Sequence, residues 1–315
     1  MHRLFRGDMA TVCAALDEDV PPLDVVYLDP PYGVGAVMTT RDEVGQARGR
    51  KSRRGGREAY ADGADVDALV AMLGESLAAL APRLSPRGCV YLHLDWRAVH
   101  DAKVAADRVF GRAAYCGDVV WTPGNGRRGA KGFAVTHQTL LIYAPGGRRT
   151  LAFRDDHPLL REPYAETSLR MHFTSVDDDG RRFRERTVRG KKYRYYADEG
   201  RRLGSVWTDI SAMRANTPIL AEGTGYPTQK PMKLLERIIR ASSRRGDTVA
   251  DFMCGSGTTL AVAAALGRRF VGGDQSEVAI ETTRARLDRA GVAYRFDDAS
   301  RTASATAASI PRGEA

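Results

Sequence analysis

The chain has 315 residues, 43% of them hydrophobic, enough for one large domain or for a core domain carrying a sizeable insertion. Its formal charge of +9 suits a polyanionic partner, although an Arg-rich proteome would give the same surplus. There is no run of about 18 apolar residues and no apolar leader, so a soluble, cytoplasmic protein without a membrane span is expected.

In chain order, the first strand-like run, 25–28, stops on Asp29-Pro30-Pro31-Tyr32. Two prolines end a strand because neither has an N–H to donate and each locks its own φ. A Gly- and Arg-rich stretch follows over 41–57, with Arg50, Lys51, Arg53 and Arg54 and almost nothing apolar to pack, and reads as a mobile basic loop. Helices are predicted over 66–81 and 98–109 and strands over 89–94, 118–121 and 139–143.

The rhythm breaks between about 146 and 204, which reads as an insertion. Within it lies R-G-K-K-Y-R-Y-Y, where Lys191, Lys192 and Arg194 interleave with three tyrosines. Such a run is either a solvated surface hairpin or a nucleic-acid contact with rings available to stack. Beyond it come helices over 231–242, 258–266 and 277–289 and strands over 248–252 and 270–273. Residues 298–315, rich in Ala, Ser and Thr, are expected to be disordered. Strands separated by helices predict parallel βαβ units, hence an α/β chain with a doubly wound, mostly parallel sheet.

The four cysteines, Cys13, Cys89, Cys116 and Cys254, lack C-x-x-C spacing, so neither a zinc site nor a disulfide framework is expected. His93 and Asp95, in L-H-L-D-W, fall on one face of an alternating strand and could reach a common site. The plainer reading is that they orient loops at a strand end. His137 precedes a strand, and Trp121 is expected in the core.

In T-V-A-D-F-M-C-G-S-G-T-T, a strand runs into Gly255-Ser256-Gly257 before a helix begins at Thr258 or Thr259. Such a turn lets a ligand lie against backbone N–H groups at a helix N-terminus. The next strand ends on Asp274, where a carboxylate can take both ribose hydroxyls of a nucleoside. Leu260 stands where a dinucleotide fingerprint has its third glycine, and the Lys of a P-loop is absent. Asp251, just before the glycines, suits a ligand that carries an ammonium group.

Together, D-P-P-Y-G, D-F-M-C-G-S-G-T-T and the T-Q-K-P of 228–231 resemble the bacterial DNA amino-methyltransferases of the permuted β class, over most of residues 1–290. V-W-T-D-I at 206–210 and Y-P-T-Q-K-P at 226–231 extend the likeness. The resemblance implies a seven-stranded Rossmann-like methyltransferase sheet. Its catalytic half would be 1–145, its target-recognition insertion 146–204 and its cofactor half 205–297. It implies S-adenosylmethionine as cofactor, lined by Gly255 and Gly257 with Met253, Cys254, Ser256 and Thr258 in the same turn. Asp251 would stand near the ammonium group and Asp274 on the ribose. Asp8 would meet the adenine ring, and Thr228 and Lys230 would lie near the carboxylate. Met253 stands where the family usually has Phe.

The same likeness implies double-stranded DNA as substrate and no metal. An exocyclic amine is a poor nucleophile because its lone pair is conjugated into the ring. Asp29 and the Pro30 carbonyl, held by Pro31 at a rigid strand end beside the cofactor, would accept its hydrogens, and Tyr32 would stack on the flipped base. No Cys follows a Pro, which argues against a covalent route to C5 of cytosine. Asp at the first motif position favours adenine N6, with cytosine N4 as the alternative. An RNA or protein methyltransferase, or an inactive cofactor-binding module that only recognises DNA, are lesser readings. A cognate restriction endonuclease and a homodimer are compatible with the class, and the basic residues Arg50, Lys51, Arg53, Arg54, Lys191, Lys192 and Arg194 would contact DNA.

Overall fold

In the computed structural model, residues 1–32, 35–40, 56–63, 65–124, 132–154, 156–213 and 222–300 are described. In chain order, the first part holds β1 (Arg3–Arg6), α1 (Met9–Ala15), β2 (Leu23–Leu28), β3 (Ala36–Thr39), β4 (Glu58–Asp62), α2 (Val66–Leu80), β5 (Leu84–Leu94), α3 (Val99–Phe110), β6 (Tyr115–Trp121) and β7 (Gln138–Tyr143). Next come β8 (Arg161–Glu162), α4 (Glu166–His172), β9 (Ser175–Val176), β10 (Arg182–Val188), β11 (Lys191–Tyr196) and β12 (Arg201–Arg202). The chain then forms β13 (Val206–Trp207), α5 (Met232–Ser242), β14 (Thr248–Asp251), α6 (Thr258–Ala265), β15 (Arg269–Asp274), α7 (Glu277–Arg289) and β16 (Arg295–Asp298). The five helices expected from periodicity are all present, with ends moved by one residue at most.

Among the described residues the main sheet has nine strands in the order β13-β6-β7-β5-β2-β14-β15-β1-β16. Seven of them form the expected doubly wound sheet, and the short β13 and β16 extend its two edges. Only β7 runs against its neighbours. The central strands read as near-continuous apolar runs because helices cover both faces. In β2, alternation sends Val26 and Leu28 into one core with Leu73 and Leu77 of α2 and Ala102 and Ala106 of α3. The opposite face meets α5, where the Tyr91 hydroxyl lies 2.6 Å from Ser242 Oγ. Helix α5 shows why it forms: Leu234, Leu235, Ile238 and Ile239 make one buried stripe.

The chain divides into two compact units, Phe153–Ser205 and the remainder. The smaller unit contains a three-stranded antiparallel sheet, β11-β10-β9, and the two-stranded pair β12-β8. At the other end, β16 carries ordered structure through Asp298, where the tail was expected to begin, while residues 301–315 lie outside the described residues. No helix among the described residues is long and apolar enough to cross a membrane.

Candidate active site

Three adjacent parallel strands, β2, β14 and β15, each finish at an aspartate: Asp29 directly after β2, Asp251 as the last residue of β14, and Asp274 as the last of β15. The carboxyl ends of parallel strands are where open α/β sheets bind ligands. Here they open into a cavity of about 490 Å³ whose lining includes all three aspartates, Asp8, Pro31 and the 251–256 turn. That volume is ordinary for a small-molecule site.

The sequence after β2 makes the first aspartate rigid. Pro30 is buried, and the Tyr32 N–H donates to Asp62 Oδ2 at 3.2 Å, tying the turn to β4. The Tyr32 hydroxyl donates to Asp29 Oδ1 at 2.6 Å. Asp29 Oδ2 pairs with the Lys230 ammonium, which also lies 5.3 Å from the Tyr32 ring centroid. Burial and the Asp29 charge hold the Tyr32 hydroxyl well above its ordinary pKa, so it stays a donor.

Behind this turn sits His93, wholly buried. Its Nε2 faces Gln138 Oε1 at 2.8 Å, an acceptor, so Nε2 carries the proton and Nδ1 takes the Tyr27 hydroxyl at 2.6 Å. Burial, reinforced by the Lys230 charge, lowers its pKa to about 3 and keeps the ring neutral. Nδ1 lies 4.0 Å from Asp29 Oδ1. Asp95 makes no hydrogen bond to His93, because β5 ends at Leu94 and the carboxylate turns to the Arg97 backbone N–H at 2.9 Å, although its charge still helps to raise Tyr32. Trp121 is buried as expected, donating Nε1–H to the Ile210 carbonyl at 2.8 Å, and His137 is exposed.

The glycine turn builds the other half of the cavity. Gly255 and Gly257 have φ of 50° and 71°, a region other residues enter only with strain. A Cβ on Gly257 would also stand 2.7 Å from Thr283 Oγ1, so glycine lets the turn pack directly on α7. Asp251 is buried and accepts the Met253 N–H at 3.1 Å. Burial pushes its carboxyl up to about 7 against the pull of Thr259 and Met253 donors. Asp274 accepts the Gly255 N–H and the Ser276 N–H, each at 2.9 Å, yet burial still raises it to about 6. Neither carboxylate has an ion-pair partner among the described residues. Two acids short of a cation beside a cavity are an acceptor set for a cationic ligand bearing hydroxyls. Cys254 and Ser256 are buried, Cys254 as a free thiol beside Thr283 and Ser256 with its Oγ 3.1 Å from Thr258 Oγ1.

Asp8 lines the cavity while capping α1, accepting from the Thr11 N–H at 2.8 Å. Thr228, a β-branched residue at φ 56°, is held in a sparsely allowed conformation. Its Oγ1 meets the Tyr60 hydroxyl at 3.1 Å, and Gln229 braces the loop through Thr224 and the Glu222 carbonyl. This loop delivers Lys230 to Asp29. Sequence reasoning missed Tyr60 and Tyr226, whose rings stack 6.4 Å apart, with Tyr226 against Gly255. It had no local signal for Met72 and Ser76, which reach the lining from α2. Among the described residues no group of His, Cys, Asp or Glu could hold a metal ion. Lys191, Lys192 and Arg194 lie on β11 in the smaller unit, whereas Arg50, Lys51, Arg53 and Arg54 lie outside the described residues.

Comparison with known proteins agrees with this architecture. The profile described as DNA methylase, of the N6 and N4 type, matches residues 23–285. The type II methyltransferase M.EcaI of Enterobacter cloacae is 25% identical over 305 residues, covering 84% of this chain and 64% of its own length. The type II methyltransferase M2.DpnII of Streptococcus pneumoniae is 40% identical over 107 residues, 31% of this chain and 38% of its own length. These matches span less than two thirds of either relative. The crystal structure of an M1.HpyAVI–SAM complex superposes with a TM-score of 0.53 at 16% identity, covering 91% of this chain and 100% of that one, and so shares the fold.

Proposed function

We propose, from the premise that the chain belongs to the DNA methylase family of the N6 and N4 type, that it moves a methyl group from S-adenosylmethionine to the exocyclic amine of a base flipped out of duplex DNA. Adenine N6 is the first reading and cytosine N4 the second. The observation that carries the proposal is the row of three strand-end aspartates, one held by a rigid Pro-Pro turn and two lacking a cation.

The cavity fits the cofactor by its acceptors. Asp251 would take the ammonium group, whose charge relieves the carboxylate that burial now pushes toward protonation. Asp274 already holds the turn through its N–H contacts and has lone pairs left for ribose hydroxyls. Asp8 at the start of α1 and the Tyr60–Tyr226 pair flank the space for the remaining ring. When bound, the cofactor supplies an electrophilic methyl group.

The chain's own contribution is to make a poor nucleophile attack. Asp29 and the Pro30 carbonyl accept hydrogens from the amine and favour a pyramidal nitrogen with an available lone pair. To reach Asp29, the amine must compete with the Tyr32 hydroxyl and the Lys230 ammonium, which now occupy its two oxygens. Turning Tyr32 off Asp29 frees its ring to stack on the flipped base. Neutral His93 brings no second positive charge to Asp29.

Nucleoside mass spectrometry of duplex DNA treated with protein and methyl-labelled cofactor tests this. Label in 6-methyladenine is expected. Label only in 4-methylcytosine would move the base assignment to the second reading, and no label in the DNA would overturn the activity.

A further inference from the structure

The hairpin β10–β11 in the smaller unit has two faces of different electrostatic character. Its register pairs Arg184 with Tyr195, Arg186 with Tyr193 and Val188 with Lys191, so these six side chains share one face. Phe183, Glu185 and Thr187 share the other with Tyr196, Arg194 and Lys192.

The second face sets one carboxylate between its two cations. Glu185 pairs with Arg194 at 3.3 Å and with Lys192 at 3.9 Å, and the Arg194 guanidinium lies 4.1 Å from the centroid of the Phe183 ring. The first face carries no carboxylate. Its inner end is packed, with Arg184 set against the rings of Tyr164, Phe173 and Tyr195. Its outer end exposes Arg186, Lys191 and Tyr193, with the Lys191 ammonium 5.6 Å from the Tyr193 ring centroid. Neither Arg186 nor Lys191 has an ion pair among the described residues.

The tip adds a third cation at a conformational cost. The two-residue connection Arg189-Gly190 has φ of 50° and 79°. A hairpin turn with both central φ values positive favours Asn-Gly, and a long side chain at its first position is strained. A strained residue where a better one exists points to a role for its side chain.

We infer that the face formed by Arg186, Lys191 and Tyr193, with Arg189 at the tip, is the surface on which this unit receives the phosphate backbone of duplex DNA. Charge complementarity selects the occupant: Arg186 and Lys191, without ion pairs among the described residues, and Arg189 in the adjoining turn match a polyanion, and the Tyr193 ring offers a sugar or base contact. Lys192 and Arg194, basic in sequence, serve Glu185 instead. The inference rests on the DNA-methylation reading and adds which side of the hairpin meets the substrate.

The test compares two double variants of equal charge change in the full chain, Arg186→Gln/Lys191→Gln and Lys192→Gln/Arg194→Gln. Duplex binding is titrated against salt, and cofactor binding is followed by calorimetry as a check on folding. The first pair is expected to lower the slope of log K against log salt by about 1.8, two phosphates at about 0.9 each. The second pair should change it by less than half as much, and cofactor affinity should stay unchanged in both. Arg189→Asn suits the turn better, so a merely structural role predicts unchanged or tighter binding, whereas the proposal predicts a slope lower by about 0.9. Equal losses from the two double variants, with the parent binding DNA, would overturn the assignment of the face alone. A parent chain that fails to bind duplex at all would overturn the methylation reading with it. Poly-glutamate binding that follows the expected variant pattern, where duplex binding does not, would give the face to an acidic protein and overturn the proposal.

Discussion

At the end of β2, Asp29 has a hydroxyl on one oxygen and an ammonium on the other. One and two strands away, Asp251 and Asp274 have only neutral donors, and burial pushes them up to about 7 and about 6. The same residue at equivalent strand ends is thus poised for different partners. Lys230, carried in by the strained Thr228 loop, supplies the charge at one end of the row. At the other two ends no cation of the chain stands among the described residues, and burial favours the protonated carboxyl. This contrast supports the proposed division, with group transfer at the first aspartate and cofactor capture at the other two.

Substitutions should break this division unequally. The largest expected effect is on transfer by Asp29→Ala, a loss of about 100- to 10,000-fold in single-turnover rate, because a positioned acceptor is removed from the reacting amine. Methyl incorporation into duplex DNA measures it. Next, Asp251→Asn should weaken cofactor binding by about 10- to 150-fold, the value of a charge-assisted hydrogen bond, as read by calorimetry.

The same variant has a stability consequence of opposite sense. A carboxyl whose folded-state pKa is about 7 instead of about 4 contributes stability that is fully present below pH 4 and lost as pH rises through 7. Asp251→Asn should therefore raise the unfolding free energy at pH 8 by an amount on the order of a few kcal/mol, seen as a higher melting temperature, and change it little at pH 4. For the unsubstituted protein, cofactor affinity should fall roughly tenfold from pH 8 to pH 6 as Asp251 protonates, and Asp251→Asn should flatten that profile. The smallest effect is expected from Gly257→Ala, which meets Thr283 and a left-handed φ and should cost about 1–3 kcal/mol in denaturant unfolding.

Much of the row was legible in the sequence for a physical reason. Asp29 and Asp274 each close an apolar run and Asp251 sits one residue inside the end of another, with prolines after Asp29 and glycines after Asp251 marking the turns. Tyr60 and Tyr226 were not legible, because they reach the cavity from a hairpin and a loop whose placement depends on tertiary contacts. His93 and Asp95 illustrate the limit of period-two reasoning. Alternation puts both on one face, but the strand stops between them at Leu94, and Asp95 turns to Arg97. Strand β1 and the edge strand β16, R-L-F-R and R-F-D-D, are too short and too charged to be read as strands, and only the pairing of β1 with β15 on one side and β16 on the other makes them so. On β11, spacing identified the cations, but only the register separates Lys191 from Lys192 and Arg194.

The division of labour is tested most directly by one paired measurement: single-turnover methyl transfer to duplex DNA at saturating cofactor, for Asp29→Ala and Asp251→Asn, beside each variant's cofactor dissociation constant. A crossing is expected, in which Asp29→Ala binds cofactor within a few-fold of the parent but transfers about 100- to 10,000-fold more slowly, while Asp251→Asn binds weakly and recovers most of the transfer rate once saturated. Transfer near the parent rate by Asp29→Ala, or loss of cofactor binding by both variants alike, would contradict it.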